Sequence, residues 1–315
     1  MRQESSGTRV YDLVMTHKLD SDSFFIHRVQ QRCAEKGMEF FLIEPLWAES
    51  FFEYFLRDRI WARALLNMHS EHHLPEDLYH RLVLLADSRK TFVIDPPAIA
   101  HAAFNKALLH PRLAQRGLNV PATIIVQRDD ASAFRISEQQ QALLGSPFVI
   151  KPAMGYGRRG VIMDAQTEVD LARSAATWPD TAYLLQKKIA PVMLSDDPAY
   201  FRVFYVFGTT WCCWWNCFTD QYRIVLPEEE ERLQLGPLRQ IVTQVADLTG
   251  MRFFSSEIAK VDSGEFVLID YVNDQCHMLS QSADPKIGVP DAVVSGIADR
   301  LVEVTHEVIT KRKSD

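Results

Sequence analysis

The sequence predicts an α/β protein in which a small parallel α/β layer at the N-terminus precedes a longer, strand-rich region. Three observations predict it. Strand-like and helix-like periods alternate from Val10 to Pro97, strand content rises after Pro191, and two hairpins follow Pro147, one glycine-rich and one acidic.

In chain order, Val10 to Met15 reads as a strand and Ser23 to Lys36 as an amphipathic helix closed by Gly37. Met38 to Ile43 is a second strand, Trp47 to Asn67 reads as mostly helical, Leu78 to Arg89 is another helix, and Thr91 to Asp95 is a strand ended by Pro96-Pro97. Ala98 to His110 reads as a helix carrying Lys106, with Pro111 opening a further turn that Gly117 ends. A strand from Val120 to Val126, a helix from Ser137 to Leu144, a hairpin from Phe148 to Met163, a helix from Glu168 to Thr177 and a strand from Tyr183 to Gln186 follow. Beyond Pro191 come strands at Tyr200 to Phe207, Thr210 to Phe218 and Arg223 to Val225. A helix from Leu235 to Leu248, the acidic hairpin and a helix from Asp291 to Val308 complete the chain, with Lys311-Arg312-Lys313 read as a solvated, frayed end.

A chain of 315 residues can bury a sizeable core. Its formal net charge of −7 gives no general attraction to nucleic acid or to anionic membrane. The polar N-terminus lacks a signal core, and no stretch approaches the ~20 apolar residues that span a bilayer, so a cytoplasmic protein is expected. Cys212, Cys213 and Cys217 stand among Trp211, Trp214 and Trp215 in a strand-like run and read as reduced core residues, because adjacent strand residues face opposite sides. His69-Ser70-Glu71-His72-His73 reads as a solvated helix end.

The run Gly155-Tyr156-Gly157-Arg158-Arg159-Gly160 has the spacing of a dinucleotide fingerprint in the wrong context. That fingerprint needs strand, glycines, then helix, whereas here the glycines lie between Phe148-Val149-Ile150-Lys151 and Val161-Ile162-Met163, both strand-like. Backbone N–H groups of such a loop, with Lys151, Arg158 and Arg159 around it, suit phosphate; the same residues also suit a plain glycine hairpin.

In the acidic hairpin, Glu257 and Asp270 lie on opposite arms. A two- or four-residue loop sets them directly opposite, their Cβ atoms ~5 Å apart, where like charges destabilise unless neutralised. A hard divalent cation would neutralise them, with Asn273 or Asp274 as a further oxygen ligand. A three-residue loop would shift the register by one, and Glu257 facing solvent is the alternative.

Taken in order, these pieces resemble the ATP-grasp superfamily, of the glutathione synthetase-like and RimK-like kind, over nearly the whole chain. Asn105-Lys106-Ala107-Leu108 resembles the stretch holding the family's first phosphate-binding lysine. Phe148-Val149-Ile150-Lys151-Pro152 and the glycine loop with Gly155, Gly157, Arg158, Arg159 and Gly160 resemble the second lysine and the flap over the phosphates. Gln186-Lys187-Lys188-Ile189 resembles the hinge whose backbone pairs with adenine, and Phe201-Arg202-Val203-Phe204 the strand with a phosphate- or substrate-facing arginine. Glu257, Asp270 and Asn273 fall where the family keeps its Mg²⁺ ligands.

The resemblance implies an ATP- and Mg²⁺-dependent ligase joining a small-molecule carboxylate to an amine through an acylphosphate, with Arg202 and Arg223 as catalytic charges for an anionic substrate. It implies a homodimer, with neither nucleic acid nor membrane as partner. A small-molecule kinase on the same fold and a nucleotide-binding regulator are the alternatives. The implied units are residues 1–97, a small α/β domain preceding the ATP-grasp core, then 98–188 and 189–315. Three departures stand out: two residues separate Asp270 from Asn273 where the family usually has one, Lys187 replaces a frequent acid, and Tyr200 replaces a frequent aspartate.

Overall fold

The computed structural model describes residues 7–17, 20–70, 74–194 and 196–314. Residues 1–6 of the polar N-terminus, and Glu71, His72 and His73 of the histidine-rich run, lie outside the described residues.

The N-terminal layer consists of β1 (Arg9–Thr16), α1 (Ser23–Glu35), β2 (Phe40–Ile43), α2 (Pro45–Leu56), β3 (Ile60–Asn67), α3 (Leu78–Ser88) and β4 (Phe92–Ile94). Its four strands are parallel in the order β2-β1-β3-β4. The expected helix from Trp47 to Asn67 is corrected: α2 stops at Leu56, and Asp58 turns the chain at φ 56° into β3. Ala62, Ala64, Leu65 and Leu66 are fully buried, and an interior strand of a parallel sheet carries a nearly continuous apolar run, here interrupted by Arg63, that periodicity does not distinguish from a helix.

The next unit opens with α4 (Pro97–Phe104) and α5 (Lys106–Gln115). Here too the expected helix is corrected. The break falls at Asn105, whose side chain accepts from the backbone N–H groups of Ala107 and Leu108, and Pro111 lies inside α5. Lys106 is therefore the first residue of a helix. β5 (Thr123–Gln127), α6 (Glu138–Leu144), β6 (Phe148–Pro152), β7 (Ile162–Ala165), α7 (Val169–Thr177) and β8 (Ala182–Lys187) follow, with an antiparallel sheet in the order β5-β8-β6-β7. The glycine run joins β6 to β7, strand to strand as its flanks predict.

A short hairpin of β9 (Met193–Leu194) and β10 (Asp197–Pro198) leads to β11 (Tyr200–Val206), β12 (Thr209–Trp215) and β13 (Tyr222–Ile224). Then come α8 (Pro227–Arg232), which the sequence reading did not separate, α9 (Pro237–Thr249), β14 (Phe253–Lys260), β15 (Phe266–Asn273) and α10 (Asp291–Ser314). The antiparallel sheet order is β13-β12-β11-β14-β15.

Side-chain alternation gives this five-stranded sheet two distinct faces. Phe204, Val206, Cys213 and Phe253 share a core with Leu13 and Leu66 of the N-terminal sheet and with Val293, Ile297 and Leu301 of α10. Phe201, Val203, Trp214 and Ile258 pack instead on α9, on Ala100 and Ala103 of α4, and on Leu109 and Leu113 of α5. Cys212 and Cys213 enter different cores, as adjacent strand residues must. The β5–β8 sheet keeps a core of its own around Phe148, Ile150, Tyr183 and Leu185. The expected frayed tail is corrected as well: α10 runs through Lys311 and Arg312, and Arg312 donates to the Lys90 carbonyl and lies over the Phe92 ring. Among the described residues no helix is long and apolar enough to cross a membrane.

Candidate active site

The acidic hairpin reaches the expected pairing by an unexpected route. Val261 N–H donates to the Glu265 carbonyl, so the turn holds three residues, and Lys260, Ala259 and Ile258 pair with Phe266, Val267 and Leu268. That register, continued, would set Glu257 against Ile269. Instead the ladder shifts, Ile269 is the extra residue of a β-bulge, and Glu257 pairs with Asp270. A second shift follows, so that Ser255 pairs with Asn273. Ser255 and Glu257 are two apart and share a face, hence their partners Asn273 and Asp270 share it too. The additional residue between acid and asparagine is absorbed by the second irregularity.

Two lysines from the other side of the cleft meet this hairpin. Lys106, buried at the start of α5, lies 3.6 Å from Asp270 Oδ1 and donates to the Gly155 carbonyl at 3.2 Å. Lys151, on β6, donates to the carbonyl of the bulged Ile269 at 3.1 Å. Burial pushes the Lys151 pKa down, while Asp270 and Glu257 pull it back up and Lys106 lowers it further. Asp270 Oδ1 is buried and accepts no hydrogen bond, since 3.6 Å to Lys106 is too long for one.

Glu257 is held from β11. Arg202 forms an ion pair with its Oε1, and the Tyr200 hydroxyl donates to its Oε2 at 3.1 Å. Arg202 also meets the Tyr222 hydroxyl at 3.3 Å and lies 5.0 Å from the Trp215 ring centre. Burial opposes the charge on Arg202, but Tyr222 and Glu257 outweigh it and its pKa rises. Burial, followed by the charge of Glu257, raises the Tyr200 pKa well above its usual value, so this residue in the place of an aspartate supplies a proton donor where an acid would add charge. Two carboxylates thus stand among three cations, Lys106, Lys151 and Arg202.

The glycine loop lies against the same cleft. At Gly160, with φ +70°, an added Cβ would come within 2.5 Å of Trp178 Cβ and 2.8 Å of Pro152 Cγ, so only glycine fits. Gly157 also has positive φ. Arg158 crosses to Asp220, in the turn between β12 and β13, at 2.6 Å, and lies 5.7 Å from the Trp215 ring centre. Arg159 lies over Tyr156 and Trp178. Asp220 had no signal in the sequence.

On β8, expected to lead into the hinge, the Gln186 side chain is buried and donates to Thr123 and Tyr271. Lys187 is exposed with its N–H bonded to the Ala122 carbonyl, Lys188 pairs with Asp164, and Ile189 packs beside Tyr200 and Trp215. Arg223 stands apart from this assembly. It pairs across the ladder with Trp214, which pairs with Phe201, on the sheet face opposite Arg202, and its guanidinium is bound by Asp197 at 2.9 Å and Glu229 at 2.8 Å. Tyr222 and Trp215 were not singled out from sequence, although their alternation with Arg223 and Trp214 puts them on the Arg202 face.

No family profile and no curated protein sequence matches this chain. Solved structures do. D-alanine–D-alanine ligase from Bacillus anthracis in complex with ATP superposes with a TM-score of 0.63 at 14% identity, over 97% of this chain and 100% of that one. D-cycloserine synthetase DcsG gives 0.63 at 15%, over 94% and 99%. The ATP-grasp ligase PsnB, bound to a phosphomimetic variant of its minimal precursor, Mg and ADP, gives 0.61 at 13%, over 94% and 99%. The chain therefore has the ATP-grasp fold, with an N-terminal parallel α/β layer before it.

Proposed function

We propose that this chain is an ATP- and Mg²⁺-dependent ligase that activates a small-molecule carboxylate as an acylphosphate and joins it to an amine. The observation that supports it most directly is the convergence of Lys106 and Lys151, from separate elements, on the Glu257–Asp270 pair beside the glycine loop. Both ammonium groups hydrogen-bond backbone carbonyls, and each has further protons to offer phosphate oxygens.

Glu257, Asp270 and Asn273 would hold Mg²⁺, and the buried, unbonded Asp270 Oδ1 fits a ligand awaiting a cation. A bound Mg²⁺ supplies charge neutralisation on the phosphates. Lys106 and Lys151 offset the remaining phosphate charge, backbone N–H groups between Gly155 and Gly160 add donors, and Arg202 meets the anionic substrate. The hinge at Gln186 to Ile189 would meet adenine through backbone groups, and since Gln186 and Lys187 are paired in the sheet, those of Lys188 and Ile189 are the candidates. Arg223, on the other face of the sheet, has no part in this reading.

The test is an ATP-consumption screen over amino acids and small carboxylates, each with candidate amines, in which free phosphate and coupled product are both measured. A ligase releases phosphate in proportion to ADP; phosphate retained on the substrate would make the chain a kinase. Lys151→Ala is expected to weaken MgATP binding by roughly 10- to 100-fold, the worth of a charge-assisted hydrogen bond. Unchanged affinity would remove the phosphate assignment.

A further inference from the structure

A chain of buried polar side chains, none of which has a side-chain role in the proposed function, joins the hinge to the acidic strand. Gln186 Nε2 lies 3.0 Å from Thr123 Oγ1 and 2.7 Å from the Tyr271 hydroxyl oxygen. An amide nitrogen only donates, so both of its protons are used. The Tyr271 oxygen accepts one of them and is also hydrogen-bonded to His110 Nδ1, 2.6 Å away, the donor set by the tautomer of the ring. Burial lowers the pKa of His110 and favours the neutral ring. Tyr271, Gln186 and His110 are 1%, 2% and 8% exposed, so no solvent stands in for a lost partner.

The chain gains its interest from the neighbours of its members. His110 lies one helical turn beyond Lys106 on α5, Gln186 begins the hinge, and Tyr271 follows Asp270 on β15. The Tyr271 carbonyl also accepts from Ser256 Oγ at 2.6 Å, which fastens the irregular stretch of β15 to β14. One phenol therefore ties the lysine helix, the hinge strand and the acid strand at a single point.

We propose that Tyr271, with His110, is a positioning residue that fixes the spacing between the base end and the metal-phosphate end of a bound nucleotide. The proposal rests on the nucleotide reading of the cleft. It differs from a general packing role in what it demands: loss of the hydroxyl weakens ligands that engage both ends and spares a ligand that engages one.

Adenosine and MgADP are the two probes, titrated into the wild-type chain, Tyr271→Phe, His110→Phe and His110→Asn, with thermal melts to show that each is folded. In Tyr271→Phe and His110→Phe, MgADP affinity is expected to fall about fivefold, the net worth of a neutral hydrogen bond, and adenosine affinity to stay within about twofold. His110→Asn keeps a polar group able to donate or accept near the Nδ1 position and is expected to recover most of the MgADP affinity. Equal weakening of both ligands, or of neither, overturns the proposal. If Tyr271→Phe does not fold, the two His110 variants decide it. A wild-type chain that binds neither probe overturns the nucleotide reading instead.

Discussion

On one face of the five-stranded sheet, Arg202 has a side chain 17% exposed and is bonded to Glu257 and Tyr222; on the other, Arg223 is 44% exposed and lies between Asp197 and Glu229. Both are arginines on short strands rich in aromatic residues, and both stack on a tryptophan, Trp215 and Trp214 respectively. What separates them is the parity of a ladder. The Arg202 face collects Tyr200, Glu257, Asp270 and Asn273 against the lysines of the cleft, whereas the Arg223 face is committed to packing on α9, α4 and α5. A charge serves a cleft when the pleat points it there, and a one-residue change of register exchanges the two sets.

The strongest way to break this comparison is Glu257→Ala. It leaves Arg202 part-buried with its main counter-charge gone, and breaking a buried pair from one side costs about 3–5 kcal/mol. Denaturant melts are expected to show a loss in that range, reduced somewhat by the solvent that reaches the pair, and Mg²⁺-dependent turnover is expected to vanish while some nucleotide binding remains. A variant that turns over at the wild-type rate would refute the metal assignment of Glu257. Next in size is the contrast between Arg202→Ala and Arg223→Ala. The first is expected to abolish turnover. The second removes an exposed ion-pair network worth about 0–1 kcal/mol and should leave turnover within about twofold. Equal kinetic effects of the two would show that the face of the sheet does not decide function.

How far the sequence could be read follows the same division. Motifs whose meaning is local were legible: the strand–glycine–strand context of Gly155 to Gly160, Lys151 near the end of an apolar strand, and the strand that includes Tyr183 to Gln186. Features set by competition between local signals were not. Ile60–Asn67 is rich in Ala and Leu and took its strand form from burial between β1 and β4, and the Asn105 cap, rather than Pro111, divides α4 from α5. Glu257 opposite Asp270 was anticipated from an even loop, but the loop is odd and the bulge at Ile269 restores the pairing. Bulges leave no periodic mark in a single sequence, so the register of β15 against Glu257 had to come from three dimensions.

A third carboxylate sharpens the comparison through pH. Asp95, buried just beyond β4, accepts from the N–H groups of Arg252 and Phe253 at the start of β14, the strand that carries Glu257. Its hydrogen-bond partners are backbone groups, where Glu257 has a guanidinium. Burial, with the charge of Asp274 added, pushes its pKa up to about 8. Because the folded value lies above the unfolded one, the fold prefers the protonated carboxyl. The associated stability is complete below the ordinary carboxylate range and is lost as pH rises toward 8, by at most about 1.4 kcal/mol per pH unit. Asp95→Asn, which cannot ionise, is expected to flatten that slope, so that melting temperatures of wild type and variant diverge between pH 5 and pH 8, the wild type falling faster. Parallel curves would mean that Asp95 is ionised in the fold, its charge offset by the two backbone N–H groups it accepts from.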